Sequence, residues 1–460
     1  MAKTLIENGW VIPMTRREHT IPKGAVALDG DRIVAVGTAE EVRKTFKPDR
    51  TIDARGKAVL PGLINTHTHL VGALNKGTTE DAKRAMGGSF KRAIPLQEDH
   101  VFADDVYFPS LVHGIEALKT GTTTVNDMWW YMPEPAKVVK DLGIRAVVGG
   151  VVREMNTGKI TPGKLDRDWL PELAKRNLEE CEALIQEWHG AAKGRITARV
   201  APDGPDRMRP ETLAKCGELA RKYGVGLHTH CASVPAEQAF MEHNYGKRSV
   251  EVLADCGLMG PDMVAVHCVF VNDKELDIFK RTNTRFGHTA YLVGKRGYMP
   301  PMEKFYTSGI EISLASDWIS NDMWNIMRAA IILARVQSGN VELIDAWKAL
   351  ELATMGGAKC LGMEKDIGSL EAGKKADVIL LDLTKAWVNP IRRQNIVSDI
   401  VYNANGSDVT HVWVDGELVV DNGRLTTVDE AEAIRECQKI ADTVWDRGKH
   451  LFGDELAAAE

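Results

Sequence analysis

Between residues 61 and 367 this chain alternates short apolar runs with longer amphipathic ones, and that alternation limits its fold more than any other feature. A strand followed by a helix and then another strand returns the chain parallel to itself, so repeated units of this kind build a parallel sheet. Eight runs read as strands: 58–66, 122–128, 144–152, 196–201, 226–230, 263–268, 285–288 and 311–315. Eight parallel strands match an α/β (β/α)8 TIM barrel, whose active site lies at the C-terminal ends of the strands. The flanks read differently. Short β-rich runs broken by turns fill the first sixty residues, with Asp29-Gly30-Asp31 as a hairpin signal, and similar runs return at 373–382 and 409–423. We expect residues 1–60 and 368–425 to form one composite β-sandwich, residues 61–367 the barrel inserted between them, and residues 426–460 a C-terminal helical segment. The stretch 78–104 is less regular and reads as a loop and helix over the barrel mouth.

The ends of the apolar runs carry the chemistry. Val59-Leu-Pro-Gly-Leu-Ile-Asn-Thr-His67-Thr-His69 closes with two histidines spaced i, i+2, which on a strand share a face and can chelate one ion. His230, His267, His288 and Asp317 close similar runs. A carboxylate such as Asp317 at the end of an apolar strand is costly unless it meets a partner or a cation. Together these residues read as a metallohydrolase on a parallel barrel. His228 shares a face with His230 and rivals it as a ligand. His19, His100, His113, His189, His243, His411 and His450 have no such placement and read as surface or packing residues.

Composition narrows the function classes. The 460 residues are 44% hydrophobic and 27% charged, ordinary for a globular protein and enough for a full-sized core. A net charge of −6 without a long basic run gives no electrostatic footprint for nucleic acid. No run approaches the roughly 18 apolar residues of a membrane span, and the N-terminus lacks an uninterrupted apolar core for a signal sequence; a cytoplasmic protein is expected. The seven cysteines are dispersed, with no Cys-x-x-Cys pair, and read as reduced thiols. Cys231 and Cys268, each following a site histidine, fall on the opposite strand face. Gly87-Gly88-Ser89 resembles no phosphate loop.

The His67-Thr-His69 segment, Gly121-Thr-Thr-Thr-Val125, His230, Val266-His267-Cys268, Ser316-Asp317 and the tail from Gly368 to Val378 together resemble the amidohydrolase superfamily. Within it the chain is most similar to the branch of adenosine-type and cytosine deaminases, triazine hydrolases, and phenylurea and molinate hydrolases. The resemblance implies one divalent metal ion, zinc first with cobalt, manganese or iron as alternatives, held by His67, His69, His230 and Asp317, with His267 and His288 beside it. It also implies a homo-oligomer. His230 is preferred over His228 because family members place the metal histidine first in a His-x-x-Glu motif after the fifth strand. Here the motif reads His230-Cys-Ala-Ser233. The absent glutamate carries a proton to the ring nitrogen in deaminases, which a serine cannot do. The fourth strand offers no lysine to bridge a second ion.

These departures lead to an expected function: hydrolysis of a urea, amide, carbamate or thiocarbamate C–N bond in a small, mainly apolar molecule. The alternative is an aminohydrolase or dechlorinating hydrolase of an N-heterocycle such as a triazine or purine. Asp317 is the expected proton shuttle, and His267 and His288 are expected to hydrogen-bond the oxygen where charge develops. Met128, Trp129, Trp130, Trp318 and Trp324 are placed near the mouth to contact a flat substrate, with loop packing as the alternative for Trp129 and Trp318. Arg153, Glu154 and Arg207 are possible polar contacts or salt-bridge partners.

Overall fold

The computed structural model describes residues 2–77, 92–160 and 163–455. Five strands open the chain: β1 (Thr4–Val11), β2 (Ile21–Asp29), β3 (Arg32–Thr38), β4 (Arg50–Asp53) and β5 (Lys57–Pro61). Eight more follow, alternating with helices: β6 (Leu63–Thr68), β7 (Thr122–Trp129), β8 (Arg145–Val152), β9 (Ile196–Pro202), β10 (Leu227–Cys231), β11 (Met263–His267), β12 (Arg285–His288) and β13 (Ile312–Leu314). The last four are β14 (Val378–Asp382), β15 (Val409–Val414), β16 (Glu417–Asp421) and β17 (Arg424–Leu425).

Strands β6 to β13 pair in chain order, all parallel, as a nearly closed barrel. Its seam lies between β13 and β6, where the ladder is reduced to an isolated bridge, Thr68 to Asp317; the amides of Ser316 and Asp317 both donate to the His67 carbonyl at 3.1 and 3.0 Å, and Thr66 Oγ1 on β6 donates to the Leu314 carbonyl on β13 at 3.0 Å. The side chains nearest the seam are therefore those of the motif residues.

The strands from both chain ends join one nine-stranded sheet, in the order β17-β16-β15-β14-β5-β1-β2-β3 with β4 also on β1. Alternation assigns its two faces. On β5 and β14, Val59, Val378 and Leu380 pack with Ile6, Val26, Leu28 and Trp413. Their neighbours Ala58, Leu60, Ile379 and Leu381 join the large cluster that includes the barrel core. This double burial explains one difference from the sequence reading. The apolar run 58–66 looks like a single strand, but it is β5 of one sheet and β6 of the other, broken at Gly62. A Cβ there would lie 1.9 Å from Thr123 Oγ1, so only glycine passes.

At the barrel end away from the motif residues, Arg145 at the start of β8 forms a two-pronged pair with Asp377, at 2.9 and 3.0 Å, and a further pair with Asp415. Near the C-terminus a helix, Glu430–Gly448, lies against the helix Tyr107–Lys119 and is tied to it by Lys119 and Glu430 at 2.8 Å. Of the irregular stretch 78–104, residues 78–91, with Gly87-Gly88-Ser89, lie outside the described residues; a helix at Ile94–His100 and a turn at Ala103–Asp105 follow. Among the described residues no helix is long and apolar enough to cross a membrane.

Candidate metal centre

Four imidazoles and one carboxylate converge at the C-terminal rim of the barrel. His67 and His69 sit on and just after β6, His230 on β10, His267 at the end of β11, and Asp317 three residues past β13. All five are buried. Each ring is fixed through Nδ1: His69 to the Met128 carbonyl at 2.6 Å, His230 to the Asp203 carbonyl at 2.6 Å, His267 to Thr289 Oγ1 at 2.8 Å, and His67 to His228 Nε2 at 2.9 Å. Occupying Nδ1 leaves Nε2 as the free donor on each ring, the orienting device of metal-site histidines. The Nε2 atoms of His69 and His230 are 3.4 Å apart, while those of His67 and His267 lie 3.4 and 3.5 Å from Asp317 Oδ2.

The surroundings keep these groups in metal-binding form. Burial lowers the His67 and His267 pKa values and brings that of His69 down to about 3, so the rings are neutral. Asp317 is buried against the same rings, and any proton on His67, His69 or His267 favours its ionised form, so that its carboxyl is held well below the usual range despite burial. His67 Nε2 is buried and, among the described residues, has no hydrogen-bond partner. An unsatisfied buried nitrogen costs free energy unless something fills its lone pair. Two overlapping groups, His67–His230–His267 and His67–His69–Asp317, have donor atoms within 4.8 Å of one another. Nitrogen and oxygen donors at this spacing fit a divalent ion of the zinc type.

Backbone geometry at the rim matches this role. Ala232, His267, Cys268 and Asp317 all adopt left-handed conformations, with φ of 49°, 73°, 48° and 65°. Non-glycine residues in that region are held there by surrounding contacts and cluster at functional sites.

The structure separates the residues proposed from sequence. His228 lies behind His67, and His230 turns its Nε2 toward the cluster. His267, expected as a carbonyl contact, belongs to a potential ligand group. His288 is buried beside Phe286, with a ring separation of 5.6 Å; among the described residues neither ring nitrogen has a hydrogen-bond partner, and the ring does not line the cleft over the cluster. Trp129, Trp130 and Trp318 do line that cleft. Trp129 lies tilted against His69 at 4.6 Å and against Trp130 at 4.4 Å between ring centres, and the Arg153 guanidinium covers Trp130 at 3.9 Å. The Met128 side chain is wholly buried with Val151 and Ala201, so its contribution is its carbonyl rather than substrate contact. Trp324 is also away from the mouth, fully buried, with its indole donating to the Thr120 carbonyl at 3.0 Å. Arg153 pairs with Glu98, and Glu154 with Arg209.

Two supporting residues, Asp203 and Thr289, carry no signal in the sequence pattern, and a third, Glu237, follows the position of the missing glutamate closely enough to be considered in its place. Asp203 orients His230 and pairs with Arg207 at 2.8 Å; Thr289 orients His267. Glu237 takes the amides of Ala232 and Ser233, both at 2.7 Å, and the Ser249 hydroxyl at 2.6 Å. Ser233, at the position of the family's glutamate, lines the cleft, and its buried Oγ has no hydrogen-bond partner among the described residues.

Comparison with known proteins adds to this picture. The model of the amidohydrolase family matches residues 58–419, and that of a bacterial imidazolonepropionase-like composite domain matches residues 24–46. The chain is 34% identical to a 5'-deoxyadenosine deaminase of Methanosarcina mazei over 96% of its length and 98% of the relative's. It is 31% identical to a 5-methylthioadenosine/S-adenosylhomocysteine deaminase of Moorella thermoacetica, over 95% and 99% of the two chains. Among solved structures, an adenosine deaminase from Xanthomonas campestris with bound zinc superposes with a TM-score of 0.87 at 25% identity, covering 96% of this chain and 98% of that one.

Proposed function

Since this chain belongs to the amidohydrolase family and is thereby a hydrolytic enzyme acting on C–N bonds, we propose that it is an aminohydrolase that removes an exocyclic amine from a small N-heterocycle of the purine type, using one zinc ion per subunit. The observation that carries this reading is the convergence of four oriented Nε2 atoms and the Asp317 carboxylate beneath a tryptophan-lined cleft. The heterocyclic substrate class rests on the deaminase relatives that match nearly the whole chain. It takes precedence over the urea and carbamate reading drawn from the sequence.

His67, His69, His230 and Asp317, with His267 beside them, are the residues that would hold the ion, whose chemistry is Lewis-acid activation of an attacking water. As water adds to the ring carbon, the ionised Asp317 accepts its proton and the C=N electron pair moves onto the ring nitrogen; that pair returns to the ring as Asp317 gives the proton to the departing amine, which leaves as ammonia. Trp129, Trp130 and Trp318 present apolar ring faces that suit a planar heterocycle and exclude bulk water. Ser233 supplies a hydroxyl for a hydrogen bond to the ring, in place of a carboxyl.

Ser233 is also the observation that favours a second reading, hydrolysis of a urea, carbamate or thiocarbamate, because a carbonyl substrate needs no proton delivered to a ring nitrogen. Product analysis separates the two. Zinc-loaded protein incubated with 5'-deoxyadenosine and 5'-methylthioadenosine is expected to release ammonia, to stop after chelation, and to recover on adding zinc. Release of aniline from N-aryl ureas, with no ammonia from either nucleoside, would establish the second reading instead.

A further inference from the structure

At the barrel seam, backbone pairing gives way to side chains. Asn65 on β6 donates through Nδ2 to Ser316 Oγ at 2.7 Å and to Asn321 Oδ1 at 2.9 Å, while its own oxygen accepts the Ser316 amide at 3.1 Å. Thr68 Oγ1 donates to Asn321 Oδ1 at 2.9 Å and lies 3.1 Å from the Asp317 carbonyl. Ser316 Oγ is likewise 2.9 Å from Asn321 Oδ1 and 3.1 Å from that carbonyl. One oxygen, Asn321 Oδ1, thus gathers groups from three residues. The other half of the amide, Nδ2, donates to the His113 carbonyl at 3.2 Å, and the His113 ring lies against the His69 and Leu70 carbonyls at 3.3 and 3.2 Å. Asn65, Thr68, His113 and Asn321 are fully buried, and Ser316 is nearly so.

We infer that Asn321 is a positioning residue for the metal centre: it sets the distance between the β6 histidines and Asp317 by closing the barrel seam. It touches neither a candidate ligand side chain nor the cleft. Three constraints meet on it. The strand holding His67 and His69 has no regular ladder to β13, Asp317 is kept at a φ of 65°, and His113 braces the backbone at His69. The Ser316 and Asp317 amides on the His67 carbonyl, and Thr66 Oγ1 against Ser313 Oγ and the Leu314 carbonyl, also cross the seam; Asn321 adds the link from Asn65 and Ser316 to Thr68 and, through His113, to the backbone at His69. The inference rests on the reading of this cluster as a metal site.

Zinc affinity, measured by competition with a chromophoric chelator, and the visible absorption spectrum of the cobalt-substituted protein report on the ligand set without turnover. Asn321→Ala is expected to weaken zinc binding by about 10- to 100-fold, the usual range for loss of an outer-shell partner, and to change the cobalt spectrum while circular dichroism stays native. Unchanged affinity and spectrum would overturn the inference. Should Asn321→Ala fail to fold, Ser316→Ala removes only one hydroxyl from the cluster; a smaller loss in the same direction supports the inference, and unaltered affinity refutes it. If the wild-type protein binds neither zinc nor cobalt, the metal reading falls and this inference with it, whereas intact wild-type binding with an indifferent Asn321→Ala refutes this inference alone.

Discussion

The two ends of the barrel both bury charge, but they treat it in opposite ways. At the end facing the terminal sheet, Arg145 meets Asp377 and Asp415, and Lys375 stands 3.7 Å from Asp415. The Asp415 amide also donates to Asp377 at 2.9 Å. Opposite charges and donors face one another, which is what a buried ion pair needs to persist. At the rim, by contrast, imidazoles aim their Nε2 atoms toward one carboxylate, His67 Nε2 has no hydrogen-bond partner among the described residues, and the backbone is held in left-handed turns. The paired cluster joins two parts of the fold. The incomplete one is arranged to receive something from outside.

Substitutions at the two ends can break this contrast. Asp317→Asn keeps the shape of the rim but removes its proton acceptor, so kcat should fall by about 10³-fold, within the range for lost acid–base catalysis, with urea stability nearly unchanged; near-normal kcat would end the proposed role of Asp317. Asp377→Ala at the other end leaves Arg145 with less compensation. It should cost about 3–5 kcal/mol in urea unfolding, while the zinc affinity of the folded protein stays the same. A loss of zinc affinity there would mean that the two ends are coupled.

A pH test sharpens the contrast behind the rim. Burial pushes Glu237 up to about 7 from its ordinary 4.5. As pH rises, the unfolded chain releases that proton first, so this contribution is full below about pH 4.5 and is lost progressively up to about pH 7. The difference in urea midpoint between wild type and Glu237→Gln should therefore change across that window; a constant difference would show that Glu237 ionises normally in the folded protein. The smallest effect is expected at Ser233→Ala, which removes one hydroxyl and should lower kcat/KM less than His267→Ala does. Equal losses would give Ser233 a chemical role comparable to that of a candidate ligand.

Much of the rim was legible in the sequence because period-two spacing places His67 with His69 and because polar residues closing apolar runs are conspicuous. The same rule could not separate His228 from His230, since both lie on one face of β10. What separates them is the Asp203 carbonyl holding one ring and the His67 ring engaging the other. Asp203, Thr289 and Asn321 were invisible for a related reason: they hold residues of other strands, and no spacing rule reports such a contact. Glu237 could be considered from sequence as a stand-in for the missing glutamate, but its bonds to the Ala232 and Ser233 amides could not be read there. The eight barrel strands appeared within a few residues of their places, apart from 58–66, where burial on both sides of the sheet hid the break at Gly62. His288 shows the opposite error. A histidine at a strand end looks like its neighbours in the pattern, yet its ring packs by Phe286 and joins no cluster.

The pairing of β5 with β14 also bears on how the chain is made. Leu60 pairs with Ile379, and Val59 with Leu380, across the whole length of the barrel. When the ribosome has released β5, its partner has not yet been synthesised, so that edge stays open until Val378–Asp382 emerges about 300 residues later. Open apolar edges invite pairing with other chains, and contacts between distant segments form slowly. A chain truncated before Val378 would keep every candidate ligand and lose the strand that covers β5, so its failure would come from aggregation during synthesis rather than from any defect in chemistry.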